Sequence, residues 1–190
     1  MPKQTCWLGL IFLLLGGCAW IDQRAVITPQ LDISPSTIGA GKPVAVKIVD
    51  ERPREVIGHR AASGVGGEIR AAQDIPDLVH QKVNEGLTHH GFVPGGADAS
   101  SSRAMRVDLR LLEYEVTMGF WTGTMSSRAA LKVTCTNGTE TFDKLYRSNH
   151  EEHSMWVQTA ASNNRQLSLA VSDVLDQMFR DQELLAFLAR

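Results

Sequence analysis

The stretch from Arg128 to Tyr146, RAALKVTCTNGTETFDKLY, reads as two strands joined by a tight turn. Asn137-Gly138 is a turn signal with a firm physical basis, because a type I′ turn needs positive φ at both central residues. A two-residue loop there pairs Thr136 with Thr139, Val133 with Phe142 and Lys132 with Asp143. Apolar Val133 and Phe142 then share one face while the opposite charges share the other, so turn and alternation agree on the register. Cys135 falls on the apolar face as a small core residue.

Upstream, Met105, Val107, Leu109 and Leu111 alternate with Arg106, Asp108 and Arg110, which predicts another strand. The phase slips at Leu111-Leu112 and resumes through Tyr114, Val116 and Met118, the mark of a β-bulge. Pro43–Val49 alternates in the same way, and Val56-Ile57 with Glu68-Ile69-Arg70 forms a candidate hairpin around a glycine-rich loop. Asp74 is a good N-cap and Pro76 suits a first turn. Ile75, Leu78, Val79, Val83 and Leu87 follow at helical spacing until Gly91 stops the helix. A last long helix, capped by Asn163 or Asn164, carries Leu167, Ala170, Val171, Val174, Leu175, Met178 and Phe179 on one stripe. Asp181 can cap a short final helix bearing Leu184, Leu185 and Leu188. The expected fold is α+β: a largely antiparallel sheet with two amphipathic helices packed on one face.

The N-terminus has a different character. A polar start with Lys3 precedes an apolar run, Cys6 to Leu15. That run is about half of the ~20 residues that span a bilayer, and with small residues behind it the segment reads as a secretory signal. Leu15-Gly16-Gly17-Cys18 resembles the lipobox of bacterial lipoproteins, in which two small residues expose the bond before a cysteine. The resemblance implies cleavage between Gly17 and Cys18 and a membrane anchor through lipid on Cys18, and two or more acyl chains anchor stably. Ala19 in place of Asp after that cysteine implies sorting to the outer membrane, facing the periplasm. The expected organisation is a lipoprotein signal peptide at 1–17, a lipidated N-terminus and tether at 18–42, and a single α+β periplasmic domain at 43–190. Cys135 is then the last thiol, so no intramolecular disulfide is expected.

The chain has 190 residues, 43% of them apolar and 21% charged, with a net charge of −2. A chain of that size and composition builds one ordinary core, and without a basic stripe it makes a poor nucleic-acid binder.

Val44-Ala45-Val46-Lys47-Ile48-Val49-Asp50-Glu51-Arg52-Pro53, followed by Ile57-Gly58-His59-Arg60, resembles the opening block of the YajG family of lipoproteins. Asp74 through Gly95, with its Gly91-Phe92-Val93-Pro94-Gly95 exit, is similar too, as is the closing helix after Asn163. The resemblance implies a lipoprotein with no assigned activity and carries no catalytic residues with it.

Other patterns invite chemistry. His150-Glu151-Glu152-His153 has metal-ligating residue types, but its i, i+3 spacing on a strand sends the two imidazoles to opposite faces. Ser63-Gly64-Val65-Gly66-Gly67 shares only its glycines with a phosphate loop. Asp50 and Arg52 read as a local charge pair at a strand end. Met118-Gly119-Phe120-Trp121-Thr122-Gly123-Thr124-Met125 joins two strands yet carries large apolar side chains, which either fold back over the sheet or meet a partner. The expected protein is therefore a non-enzymatic binding or assembly module of the cell envelope, with Phe120 and Trp121 as the possible partner contact and no metal or cofactor. The alternative is a carrier for a small ligand, lipid or glycan.

The anchor has a direct test. Cells fed a radioactive fatty acid should label the wild-type chain and not Cys18→Ser; equal labelling of the two would refute lipidation at this cysteine.

Overall fold

A computed structural model describes residues 20–64, 66–96, 102–119, 123–154 and 159–190. In chain order these form β1 (Gln23–Ala25), β2 (Pro43–Asp50), β3 (Gly58–His59), β4 (Glu68–Ala71), α1 (Ile75–His89), β5 (Val93–Gly95), β6 (Arg103–Met118), β7 (Gly123–Asn137), β8 (Glu140–Ser154), α2 (Ala160–Arg180) and α3 (Gln182–Ala189).

The long strand β6 organises the sheet. One edge pairs antiparallel with β7, which pairs with β8; the other pairs with β2 over Ala104–Leu109 and with β3 at Tyr114. β5 extends the sheet beyond β2, and β4 then β1 extend it beyond β3. The expectation of a largely antiparallel sheet is corrected: β2–β6, β2–β5, β3–β6 and β1–β4 are all parallel. For the pairs that involve β5 and β6 the cause lies in α1, which carries the chain back so that β5 and β6 run in the same direction as β2, as parallel neighbours require. The fold is mixed α/β with a curled sheet, and among the described residues there are three α-helices, since the short C-terminal one packs as well.

Several local readings hold. Asp74 caps α1 by accepting from the Asp77 N–H at 2.9 Å, and Gly91 ends the turn with φ +77°. Every residue of the expected apolar stripe of α2 is buried. Asp181 accepts from the N–H of Glu183 at the head of α3. The bulge in β6 sits between Leu109 and Leu111, one residue early, and turns Arg110 outward to an ion pair with Glu51.

Two readings change. Thr159 caps α2, accepting from the Ser162 N–H, and Asn163 lies inside the helix and is buried. In the β7–β8 hairpin the loop is Gly138-Thr139, not Asn137-Gly138. Only Gly138 has positive φ, +61°, the pattern of a type II′ turn with glycine first. Phe142 therefore stands opposite Cys135 instead of Val133, and Val133 opposite Lys144. The loop moves one residue along the chain and the partners shift by two, so Phe142 stays on the core side and Lys132 still reaches Asp143, diagonally, at 3.6 Å.

The expected tether is largely packed. From Gln23 to Pro29 alternate residues point inward, and Ile27 is fully buried. The backbone N–H groups of Thr28, Gln30 and Asp32 donate to Ser168 Oγ, Ser172 Oγ and Asp176 Oδ1 on α2, each at 2.9 Å. Packed structure thus begins about twenty residues ahead of Pro43, the expected start of the domain.

α1 and α2 touch where Gly86 meets Phe179, whose ring is 1% exposed; a Cβ on Gly86 would lie 2.2 Å from it. Alanine normally stabilises a helix interior by about 1 kcal/mol over glycine. Here Gly86→Ala should instead lower the urea midpoint of the domain, and a raised midpoint would show that the two helices part without cost.

Candidate functional site

Gly17 and Cys18, and likewise Phe120 and Trp121, lie outside the described residues. The strands flanking Phe120 and Trp121 are described. β6 and β7 continue beyond Tyr114, the last residue of β6 to pair with β3, and end with Met118 opposite Gly123. Glu115, Thr117, Met118 and Gly119 are exposed, Met118 by 77%. The ribbon thus presents an apolar side chain to solvent at its end.

Asp50 and Arg52 meet in the polar cleft at the sheet edge. Asp50 ends β2, and the turn after it folds Arg52 back so that Nε and Nη2 donate to the two carboxylate oxygens at 2.9 and 2.7 Å. The Arg52 N–H adds a third bond at 3.1 Å. Hydrogen bonding from Arg52 outweighs burial and holds the Asp50 carboxyl below its usual range. The Arg52 side chain is only 8% exposed, and its Nη1 is buried without a hydrogen-bond partner among the described residues.

Arg24 of β1, Arg70 of β4, Glu55 and Asp74 complete the charged lining of this cleft, about 350 Å³ in volume. Arg70 is held by Glu68 at 2.8 Å and Glu55 at 3.4 Å. Three guanidinium groups face three carboxylates, and among the described residues no hydroxyl, thiol or imidazole side chain lines the cleft. Such a site can hold a polar group through N–H donors, and it offers a proton acceptor only weakly, since Asp50 is fixed as the anion.

The two histidines separate as the strand period requires. His150 Nε2 meets Asp173 on α2, while His153 Nδ1 meets Thr124 Oγ1 at 2.9 Å. Among the described residues, no group of three or more His, Cys, Asp or Glu is placed to hold a metal ion. Cys135 is fully buried, and burial pushes its thiol up to about 12, which leaves it an inert core group.

Sequence reasoning missed a buried polar network. Tyr114 donates to Asn163 Oδ1 at 2.9 Å; Asn163 donates to Gln23 Oε1 at 2.8 Å; and Gln23 Nε2 reaches Asn164 Oδ1 and the Ala160 carbonyl, both at 3.0 Å. It ties β1 and β6 to the start of α2. Its trace in the sequence is the Asn163-Asn164 pair just ahead of the apolar stripe, which reads as a cap because Asn so often is one.

A second groove, about 670 Å³ and open, runs between the outer side of residues 26–32 and α2; Val26 and Leu169 lie in it among Thr, Gln, Ser and Asp. Neither concavity is a deep apolar cavity.

The sequence profile of a family described as uncharacterized lipoprotein matches residues 29–189. Curated proteins return no match. Among solved structures, the chain is similar to a Xanthomonas campestris protein of the DUF330 family, with TM-score 0.58 and 11% identity over 83% of this chain and 92% of that one. It is also similar to a candidate neuraminyllactose-binding hemagglutinin homolog from Helicobacter pylori, with TM-score 0.51 and 8% identity over 85% and 97%. At such identities the likeness is one of fold.

The Asp50–Arg52 pair has a pH signature. Its folded-state pKa is depressed, so its stabilisation is present above the unfolded value of about 3.9 and is lost as pH falls through the folded value. Asp50→Asn should therefore melt below wild type at pH 6, and the gap should close on acidification. A gap in melting temperature that is constant with pH would mean that the ion pair is not what stabilises the turn.

Proposed function

The chain belongs to the uncharacterized lipoprotein family, and from that premise we propose that it is a lipid-anchored, non-enzymatic binding or assembly module of the outer membrane, facing the periplasm. Within that family it is of the YajG type, on the residues from Val44 to Arg60 and from Asp74 to Gly95. Residues 1–17 are removed and Cys18 carries the lipid. The partner is another envelope protein, met at the end of the β6–β7 ribbon through Phe120 and Trp121.

The observation that carries this reading is Met118, 77% exposed where β6 and β7 end together. Large apolar side chains at a strand connection either cover the sheet or meet a partner, and an exposed Met118 favours the second. Trp is enriched at such contacts because it buries much area at small entropic cost. The charged cleft and the open groove of the described residues, neither an enclosed cavity, favour assembly over the carriage of an apolar ligand.

Trp121→Ala tests it with two measurements. The melting temperature should stay within a degree or two of wild type, since ~1 kcal/mol is worth about 2–4 °C in a domain of this size. Photocrosslinking in cells from a probe at Phe120 should capture an envelope protein in wild type and lose it in Trp121→Ala. A drop of several degrees with unchanged capture would make Trp121 a packing residue and end this reading.

A further inference from the structure

The three most exposed large apolar side chains among the described residues are Met118 at 77%, Trp20 at 69% and Ile21 at 62%. Pairing register puts all three at one end of the sheet. β3 runs parallel to β6, with Gly58 beside Tyr114; β4 runs antiparallel to β3, with Ile69 beside Gly58; β1 runs parallel to β4, with Gln23 beside Ile69. Residues 20–22 therefore lie past the sheet on the side toward which β6 runs to Met118.

Trp20 and Ile21 are not on a free tail. The Ile21 carbonyl accepts from Arg60 Nη1 at 3.2 Å, and Asp22 Oδ1 accepts from the Glu68 N–H at 2.8 Å. Gly67 packs so closely that a Cβ would lie 2.2 Å from the Ile21 carbonyl oxygen. The backbone is thus fixed to the loop between β3 and β4 up to Ile21, three residues after Cys18.

We infer that this end of the domain rests on the lipid bilayer, with Trp20 and Ile21 in the membrane interface and Met118 at the same level, beside the proposed partner contact. The inference rests on lipid attachment at Cys18. Three residues of extended chain reach at most ~10–11 Å, so a domain held at Ile21 cannot stand off the surface that holds Cys18. Whatever faces outward at that end meets the interface, and the sheet presents its three most exposed apolar side chains there. Tryptophan favours this layer because its ring is apolar and its indole N–H is polar. The occupant at Trp20 and Ile21 is the bilayer itself, so the protein partner proposed for the ribbon end is met at the membrane surface; a protein covering Trp20 and Ile21 is the competing outcome. The sheet then points away from the membrane, and the β7–β8 turn at Gly138-Thr139 is the far end.

The mature lipoprotein, made from the full precursor and reconstituted in phosphatidylethanolamine–phosphatidylglycerol vesicles, tests the orientation. Ile21→Cys and Thr139→Cys are each labelled with an environment-sensitive fluorophore; both sites are exposed, whereas Cys135 is buried. In vesicles that float with their protein, the label at position 21 should shift to the blue. It should be quenched by nitroxide lipids and be several-fold less accessible to iodide than the label at 139. Floating protein with equal iodide access at both sites overturns the docked orientation and leaves the anchor standing. Shielding of position 21 that needs added envelope protein overturns it in favour of a protein contact. Protein that does not float overturns the Cys18 anchor and this inference with it.

Discussion

An extended segment lying along a helix usually leaves its backbone unsatisfied on that side, because helix backbones have no spare donors or acceptors to offer. Here α2 supplies side chains instead. Ser168, Ser172 and Asp176 recur every four residues and accept from the N–H groups of Thr28, Gln30 and Asp32, which recur every two. The periods match in space, since four helical residues advance ~6 Å and two extended residues ~6.6 Å. Asn164 and Arg180 extend the same stripe, holding the Gln23 amide above and the Asp32 carbonyl below. Ser168 also donates to the Asn164 carbonyl at 2.6 Å, so its hydroxyl has both roles filled.

Much follows from this seam. It lays Ile27 over the core and brings Gln23 to the Tyr114–Asn163 pair. With Gln23 fixed, β1 can extend the parallel pairing with β4, and the residues just ahead of it are committed to the β3–β4 loop. Asp176 feels a cost: burial pushes its carboxyl up, against the lowering by the Asp32 N–H and Arg180. At the other end of the segment, His90 is buried against Ser36 and Phe179, and desolvation lowers its pKa.

What could be read in advance was local. The capped, amphipathic α1 depends on Asp74, Pro76 and a 3.6-residue apolar repeat, all carried within the helix itself. The α2 stripe and the β6 bulge were legible for the same reason. The parallel pairs were not, because nothing in Val44–Val49 says whether Met105 or another strand lies alongside, or in which direction. Strand propensity reports a pleated, half-buried surface and is silent on neighbours. The hairpin loop missed by one residue along the chain because Asn137-Gly138 fits a type I′ turn, while Gly138 followed by Thr139 fits a II′ turn at no loss of core contact. The seam on α2 was hidden by its composition: Ser168, Ser172 and Asp176 look like an ordinary solvated face, and only the partner backbone gives them meaning. Of the candidate site, the Asp50–Arg52 pairing was legible as a short-range contact. Its burial and its neighbours Arg24 and Arg70 come from strands β1 and β4 and are tertiary facts.

The seam also fixes an order of events. Thr28 and its acceptor Ser168 are 140 residues apart, and Arg180 and Asp32 are 148 apart. A chain that emerges amino terminus first, from a ribosome or a translocation pore, carries Ile27 for nearly its whole length before the surface that covers it exists. Contacts so distant in sequence form late, after the loop-closure entropy has been overcome. The N-terminal segment must therefore wait in an open state until α2 has followed it through.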